Sequence, residues 1–157
     1  SEIVIETTEQ IYSDRHGLKG SKTYYSDYLY WNNISNTYQV GSTNVHIGQN
    51  AGQNNQGQQS VAVGALAGCY DQGYSAVAIG RHAGYDTQGD NAIAIGNMAG
   101  DVGQHARTVV INATGNSMLT AAEDRFYAKP IRTVNDTTGL SQLYYDPSTG
   151  EIVVYIP

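Results

Sequence analysis

One cysteine, Cys69, is present, so no intrachain disulfide framework can form and redox arithmetic leaves the compartment open. The chain has one Phe, one Trp and 3 Pro beside 13 Tyr and 18 Gly. Charged residues make up 14%, against roughly 25% in typical domains, which leaves little material for a helical core. Basic residues are scarce: 8 Lys and Arg stand against 14 Asp and Glu, a net charge of −6, and no Lys/Arg cluster occurs. That balance excludes a nucleic-acid backbone as the expected partner, because such binders neutralise phosphates with a basic face. No apolar run approaches the roughly 18 residues of a membrane span. The sequence opens at Ser1 without a Met or a signal-like segment and reads as a processed piece. Nucleophile elbow, phosphate loop and zinc-type spacing are all missing. The expectation is a non-catalytic chain with no cofactor and no metal.

What is abundant is repetition. Gly48, Gly64, Gly80 and Gly96 follow one another at a step of 16 residues, and Gly52, Gly68, Gly84 and Gly100 keep the same step. Ala51, Ala67, Ala83 and Ala99 precede the second series. Before the first series stand the pairs Val45/Ile47, Val61/Val63, Val77/Ile79 and Ile93/Ile95, with Val109/Ile111 as a fading fifth copy. Between the members of each pair lie His46, Ala62, Ala78, Ala94 and Val110. Further columns hold Gly57, Gly73 and Gly89, and Gln56, Gln72, Gln88 and Gln104.

Side chains alternate across a strand, so in "VAVG", "VAIG" and "IAIG" the β-branched residues share one face and the alanines the other. A strand this short needs stacked neighbours, and identical units stacked in parallel about 4.8 Å apart make a solenoid coil of two short strands and two corners. The fold class read here is all-β, a parallel β-roll with 16-residue coils. The Val/Ile face is expected to fill the roll. The alanine face, with Ala62, Ala78 and Ala94 as contact candidates, is expected to pack against copies of the same chain, three being the favoured number; a single-chain β-helix is the alternative. The glutamine column reads as an amide ladder or as solvated side chains, and Cys69 as an outer-loop residue. His46 replaces the alanine of its column and on a threefold axis offers a metal or anion site, though solvent or a neighbouring hydrogen bond accounts for it more simply.

"SVAVGALAG", "AVAIGRHAG" and "NAIAIGNMAG" resemble the head repeats of trimeric, YadA-like autotransporter adhesins over residues 45–116. That resemblance implies a left-handed β-roll in each chain of an intertwined homotrimer. The tail, "TVVINATGNSM", "RFYAKPIR" and "LYYDPSTGEIVVY", is similar to viral and phage fibre segments that precede an endosialidase-type intramolecular chaperone. It implies a virion-fibre or extracellular location and a removed C-terminal chaperone near Pro157.

Three segments follow: an aromatic-rich N-terminal cap or receptor-facing part (1–44), the roll (45–116) and a C-terminal cap with a β-hairpin (117–157). In the first, "EIVIET" reads as a strand and "SDRHGLKGSKT" as a polar loop. Next come Tyr24, Tyr25, Tyr28, Tyr30, Trp31 and Tyr38 among Asn, Ser and Asp. Aromatic faces beside amides and carboxylates suit sugar rings, whose C–H faces stack while their hydroxyls need donors and acceptors; capping of the first coil is the competing reading. Tyr70, Tyr74 and Tyr85 offer a second, lateral surface. Asp71, Asp86, Asp90 and Asp101 read as a solvated outer face. In the last segment a short helical turn is expected around Leu119 to Asp124, an extended stretch over Arg125 to Pro130, and a hairpin around Asp146-Pro147-Ser148-Thr149-Gly150. The expected function is attachment to a cell-surface glycan or envelope receptor. A purely structural spacer is the alternative, and a surface-polysaccharide depolymerase the third.

Overall fold

The computed structural model describes the backbone of Leu18–Lys19 and residues 28–41, 43–133, 135 and 138–154. Tyr24, Tyr25 and the "EIVIET" stretch lie outside the described residues. Among the described residues there are thirteen strands: β1 (Leu18–Lys19), β2 (Leu29–Asn32), β3 (Thr37–Val40), β4 (Val45–Ile47), β5 (Val61–Val63), β6 (Tyr70–Gln72), β7 (Val77–Ile79), β8 (Asp86–Gln88), β9 (Ile93–Ile95), β10 (Val109–Asn112), β11 (Phe126–Lys129), β12 (Leu143–Asp146) and β13 (Glu151–Val154). Among the described residues no helix occurs, and hence none long and apolar enough to cross a membrane.

The roll is a parallel β-solenoid with 16-residue coils. Its main sheet has the order β11-β10-β9-β7-β5-β4. Val45 pairs with Val61, Val61 with Val77, Val77 with Ile93 and Ile93 with Val109, all parallel. A second wall pairs β6 with β8 in parallel and continues through the bridges Asn54–Tyr70 and Asp86–Val102. The second and third coils therefore hold two short strands each, and the first and fourth a strand and one bridged residue.

The faces are the reverse of the expected ones. Ala62, Ala78, Ala94 and Val110 have no exposed surface, and neither do Ala67, Ala83 and Ala99. They fill the coil interior, so the alanine column faces its own chain and is not a contact with neighbouring copies. Ile47, Ile79, Ile95 and Ile111 are 57%, 39%, 39% and 41% exposed on the outer face of the same sheet. The physical reason is width: two walls closed by tight corners within 16 residues leave room for methyl groups and one amide column, not for opposed layers of Val and Ile.

That amide column is a buried ladder. Gln72, Gln88 and Gln104 are each 2% exposed. Gln72 Nε2 donates to Gln88 Oε1 (3.1 Å), Gln88 Nε2 to Gln104 Oε1 (3.0 Å), and Gln104 Nε2 to Thr108 Oγ1 (3.1 Å). Each amide also donates to a strand carbonyl, of Val61, Val77 and Ile93 respectively. Gln56 donates to the Val45 carbonyl (3.1 Å), and Gln72 Oε1 has no partner among the described residues.

The ladder explains one glycine column. A Cβ on Gly84 would lie 2.6 Å from Gln88 Cδ, and Gly84 has φ +52; glycine alone lets the carboxamide cross the corner. The other column answers to backbone: a Cβ on Gly80 would sit 2.7 Å from the Gly96 carbonyl oxygen of the next coil. Cys69 is fully buried rather than on an outer loop, although Gln53, Tyr85 and Asp101 of its column are only half-buried.

Asn112 stands one step of 16 beyond Gly96 and ends the series. Its buried Nδ2 donates to the carbonyls of Asn97 (3.0 Å) and Asn116 (2.6 Å), and its Oδ1 accepts from Thr114 Oγ1 (2.7 Å). β11 then joins β10 with Val109 opposite Phe126, a 17-residue offset. Residues 121–124 form bends, and no helical turn occurs over Leu119 to Asp124, where one was expected. They are held instead by outside partners: Arg107 pairs with Glu123 and, at 2.6 Å, with Asp124 Oδ1, and Tyr127 Oη accepts the Ala121 amide (3.0 Å). The expected hairpin is present, β12 pairing antiparallel with β13. Its turn closes through Gly150 N–H to Asp146 O (2.8 Å) and Ser148 N–H to Asp146 Oδ1 (2.8 Å).

Candidate functional site

The site lies where the non-repeated N-terminal part meets the first coil. β2 and β3 form an antiparallel hairpin, with Trp31 opposite Tyr38 and Tyr30 opposite Gln39, and β1 adds in parallel to β3. Its turn is set locally: Asn32 Oδ1 accepts the amides of Ile34 (2.9 Å) and Ser35 (3.1 Å), and Asn36 takes φ +53, a conformation that asparagine tolerates better than most residues. Alternation then splits the aromatics between two faces. Tyr30 turns to the roll, its ring edge-on to His46 with centroids 4.1 Å apart. Trp31 and Tyr38 pack on each other at 5.1 Å, 50% and 40% exposed.

Tyr28 fastens the hairpin to the roll. β4 is the edge of the main sheet, so its outward backbone groups have no coil to pair with. Tyr28 Oη accepts the His46 amide (2.8 Å) and donates to the Asn44 carbonyl (3.2 Å), replacing that coil at two positions. A Cβ on Gly41 would meet the Tyr28 ring at 2.5 Å, so glycine there lets the end of β3 close over it. Burial raises the Tyr28 pKa. It lowers that of His46, whose imidazole lies under the Tyr28 and Tyr30 rings at 5.8 Å and 4.1 Å. His46 thus occupies the mouth of its own coil. Among the described residues no group of three or more His, Cys, Asp or Glu side chains converges.

Between hairpin and coil runs a groove of about 640 Å³, lined on one side by residues 28–34 and on the other by residues 46–53. Three of the expected ligand residues, Tyr28, Tyr30 and Trp31, line it. Tyr30 is fixed there by its hydroxyl, which donates to Gln39 Oε1 (2.7 Å), an oxygen that also accepts from Asn32 Nδ2 (3.0 Å). Tyr38 supports Trp31 from the neighbouring strand. The floor adds His46, Gln49, Asn50 and Gln53, which the sequence reading did not place here. The repeat does not single them out: their columns continue as Ala65, Leu66 and Cys69 in the second coil, but as Arg81, His82 and Tyr85 in the third and Asn97, Met98 and Asp101 in the fourth. The groove therefore combines aromatic faces with side-chain amides, each able to donate and accept.

The lateral tyrosines divide. Tyr70 and Tyr85 meet edge to face at 5.4 Å, and His82 stacks on Tyr85 at 4.6 Å with its Nδ1 3.7 Å from Asp101 Oδ1. Tyr74 stands apart, donating to Gln59 Oε1 (2.7 Å). The outer aspartates serve the loops: Asp71 accepts from Asn55 Nδ2 (2.8 Å) and Asp90 from the Tyr74 amide (2.8 Å). No family model, curated protein or solved structure matches the chain.

Proposed function

We propose that the chain is a segment of a homotrimeric fibre or adhesin, carried on a cell surface or a virion, that attaches to a cell-surface glycan without catalysing a reaction. The observation that carries this reading is the groove of about 640 Å³, whose lining includes Tyr28, Tyr30 and Trp31 together with Gln49, Asn50 and Gln53. Aromatic rings accept the apolar faces of sugars, and neutral amides pair with hydroxyls in both directions. Three grooves on one rigid fibre would raise a weak single-site affinity through effective concentration. The test is a glycan array probed with the purified assembly at high valency. Binding to a defined class of saccharide, lost in Trp31→Ala while the fold survives, is the expected result. Silence across the array, or unchanged binding by Trp31→Ala, refutes the assignment.

A second reading, a spacer that sets fibre length, draws on the uniform 16-residue register from β4 to β10. It predicts that removing one coil leaves attachment intact and shortens the particle.

A further inference from the structure

Successive coils close on one another through a fixed set of backbone bonds at the corner after each main-sheet strand. The N–H groups of Gly64, Gly80 and Gly96 donate to Ile47, Val63 and Ile79 of the coil before (2.8 Å each). Those of Leu66 and His82 donate to the carbonyls of Gln49 (2.8 Å) and Ala65 (3.0 Å). In the other direction, the carbonyls of Ala67 and Cys69 accept from Gly52 and Asn54 (2.9 Å each), and the next coil repeats both bonds at Ala83 and Tyr85. The first coil has no coil before it among the described residues, because β4 is the edge of the sheet. Tyr28 Oη fills that place at His46 and Asn44. The equivalent groups at the corner, the N–H of Gly48 and Asn50 and the carbonyls of Ala51 and Gln53, have no partner among the described residues. All four of these residues line the groove.

The groove also carries no formal charge. From Tyr28 to Tyr70 no Lys, Arg, Asp or Glu occurs, so all 8 basic and 14 acidic residues lie outside the stretch that builds both walls. Burial lowers the His46 pKa and keeps its imidazole neutral at neutral pH. We infer that the groove selects uncharged saccharides and holds them by the open backbone groups of Gly48, Asn50, Ala51 and Gln53. A sugar hydroxyl both donates and accepts, so neighbouring hydroxyls can serve N–H and carbonyl alike. A carboxylate or sulfate only accepts; it would leave the Ala51 and Gln53 carbonyls unserved and lose hydration with no cation to offset it. An ammonium only donates and would strand the Gly48 and Asn50 amides. A polypeptide strand is the other ligand that completes an open edge, but it needs a straight one. Here the groups sit on a tight corner, with Gly48, Asn50 and Gly52 at φ +122, +56 and +57. This inference rests on the reading of the groove as a glycan site and names the class of glycan.

The test is an array on which each neutral saccharide stands beside its carboxylated, sulfated and amino derivatives, probed with the full chain. Neutral members are expected to bind at least roughly tenfold more tightly than their charged derivatives. Their binding should hold between about 0.05 and 0.5 M salt, since no ion pair is there to be screened. Gln49→Lys, at an exposed lining position, should narrow the gap to the acidic derivatives several-fold. Amide hydrogen exchange reads the contact itself. The best neutral saccharide should slow Gly48 and Asn50 by roughly tenfold or more, while Gly64 and Leu66, already bonded, stay as they were. Preference for a charged derivative, binding that falls steeply with salt, or an unchanged gap in folded Gln49→Lys overturns the neutral class and leaves the glycan reading standing. Neutral binding with unslowed Gly48 and Asn50 overturns the backbone contact. A silent array removes the glycan reading and this inference together, and slowing of the same amides by an unglycosylated peptide would put a polypeptide in the groove instead.

Discussion

Replacing Gln88 with alanine should be among the most damaging single changes in the roll. The side chain is 2% exposed and sits mid-ladder, accepting from Gln72 Nε2 and donating to Gln104 Oε1 and the Val77 carbonyl. Its removal leaves Gln104 Oε1 buried without a donor and takes one acceptor from Gln72. A buried polar group left unpaired costs about 1–3 kcal/mol, and the vacated volume adds a cavity term. The expected loss is about 3–5 kcal/mol, a large share of the roughly 5–15 kcal/mol that stabilises a domain. Gln56→Ala is the control. Among the described residues the Gln56 side chain makes only the bond to the Val45 carbonyl, and the ladder is already interrupted between it and Gln72, so about 1 kcal/mol is expected. Urea unfolding followed by circular dichroism, at one fixed protein concentration because association shifts apparent stability, measures both. Equal midpoint shifts for the two variants would refute the ladder as a cooperative element. A cycle on Gln72 and Gln88 adds a second criterion, an interaction energy of at least about 0.5 kcal/mol.

Gly84→Ala, at φ +52 and 2.6 Å from Gln88 Cδ, is expected to lower the urea midpoint far more than Gly139→Ala, at φ +76 with nothing within 4 Å; similar losses would mean that backbone strain alone governs the column. Tyr28→Phe removes the hydroxyl that serves His46 and Asn44 and should cost about 1–2 kcal/mol, with hydrogen exchange at the His46 amide accelerated while the amides of β9 stay protected. Burial lowers the His46 pKa, so the unfolded chain takes up a proton before the folded one. That contribution is complete above the ordinary histidine value of about 6.5 and is lost as pH falls through the folded value. Urea midpoints between pH 7.5 and 5 should decline less steeply in His46→Ala, and parallel curves would remove His46 as the titrating group.

The repeat gave away most of the fold, because a strict period fixes strand, corner and register together. It could not decide the inside. Alternation puts Val77 and Ala78 on opposite faces, but which face is covered depends on how far apart the two walls of the coil stand. That distance follows from corners such as Gly84, whose role is visible only once Gln88 is seen folded across it. Cys69 was misplaced because its column mixes Gln53, Tyr85 and Asp101, which are half-buried, while Cys69 alone of the four is fully covered. In the groove, the tyrosines and tryptophan stood out in the sequence. That Tyr28 substitutes for a missing coil did not, since its two bonds reach residues 16 and 18 positions away.

Asn112 in the glycine column has a consequence for size. Upstream of it each coil presents the next with the same Gln, Ala and Gly columns, and the amide bonds all run one way, from Gln72 through Gln88 and Gln104 to Thr108. A duplicated block of 16 residues inserted between Gly64 and Gly96 would meet familiar neighbours above and below, whereas 15 or 17 would set a glutamine against a corner. Length in such a particle is therefore an integer quantity, advancing by about 4.8 Å per block, and Asn112 is the stop codon of its geometry.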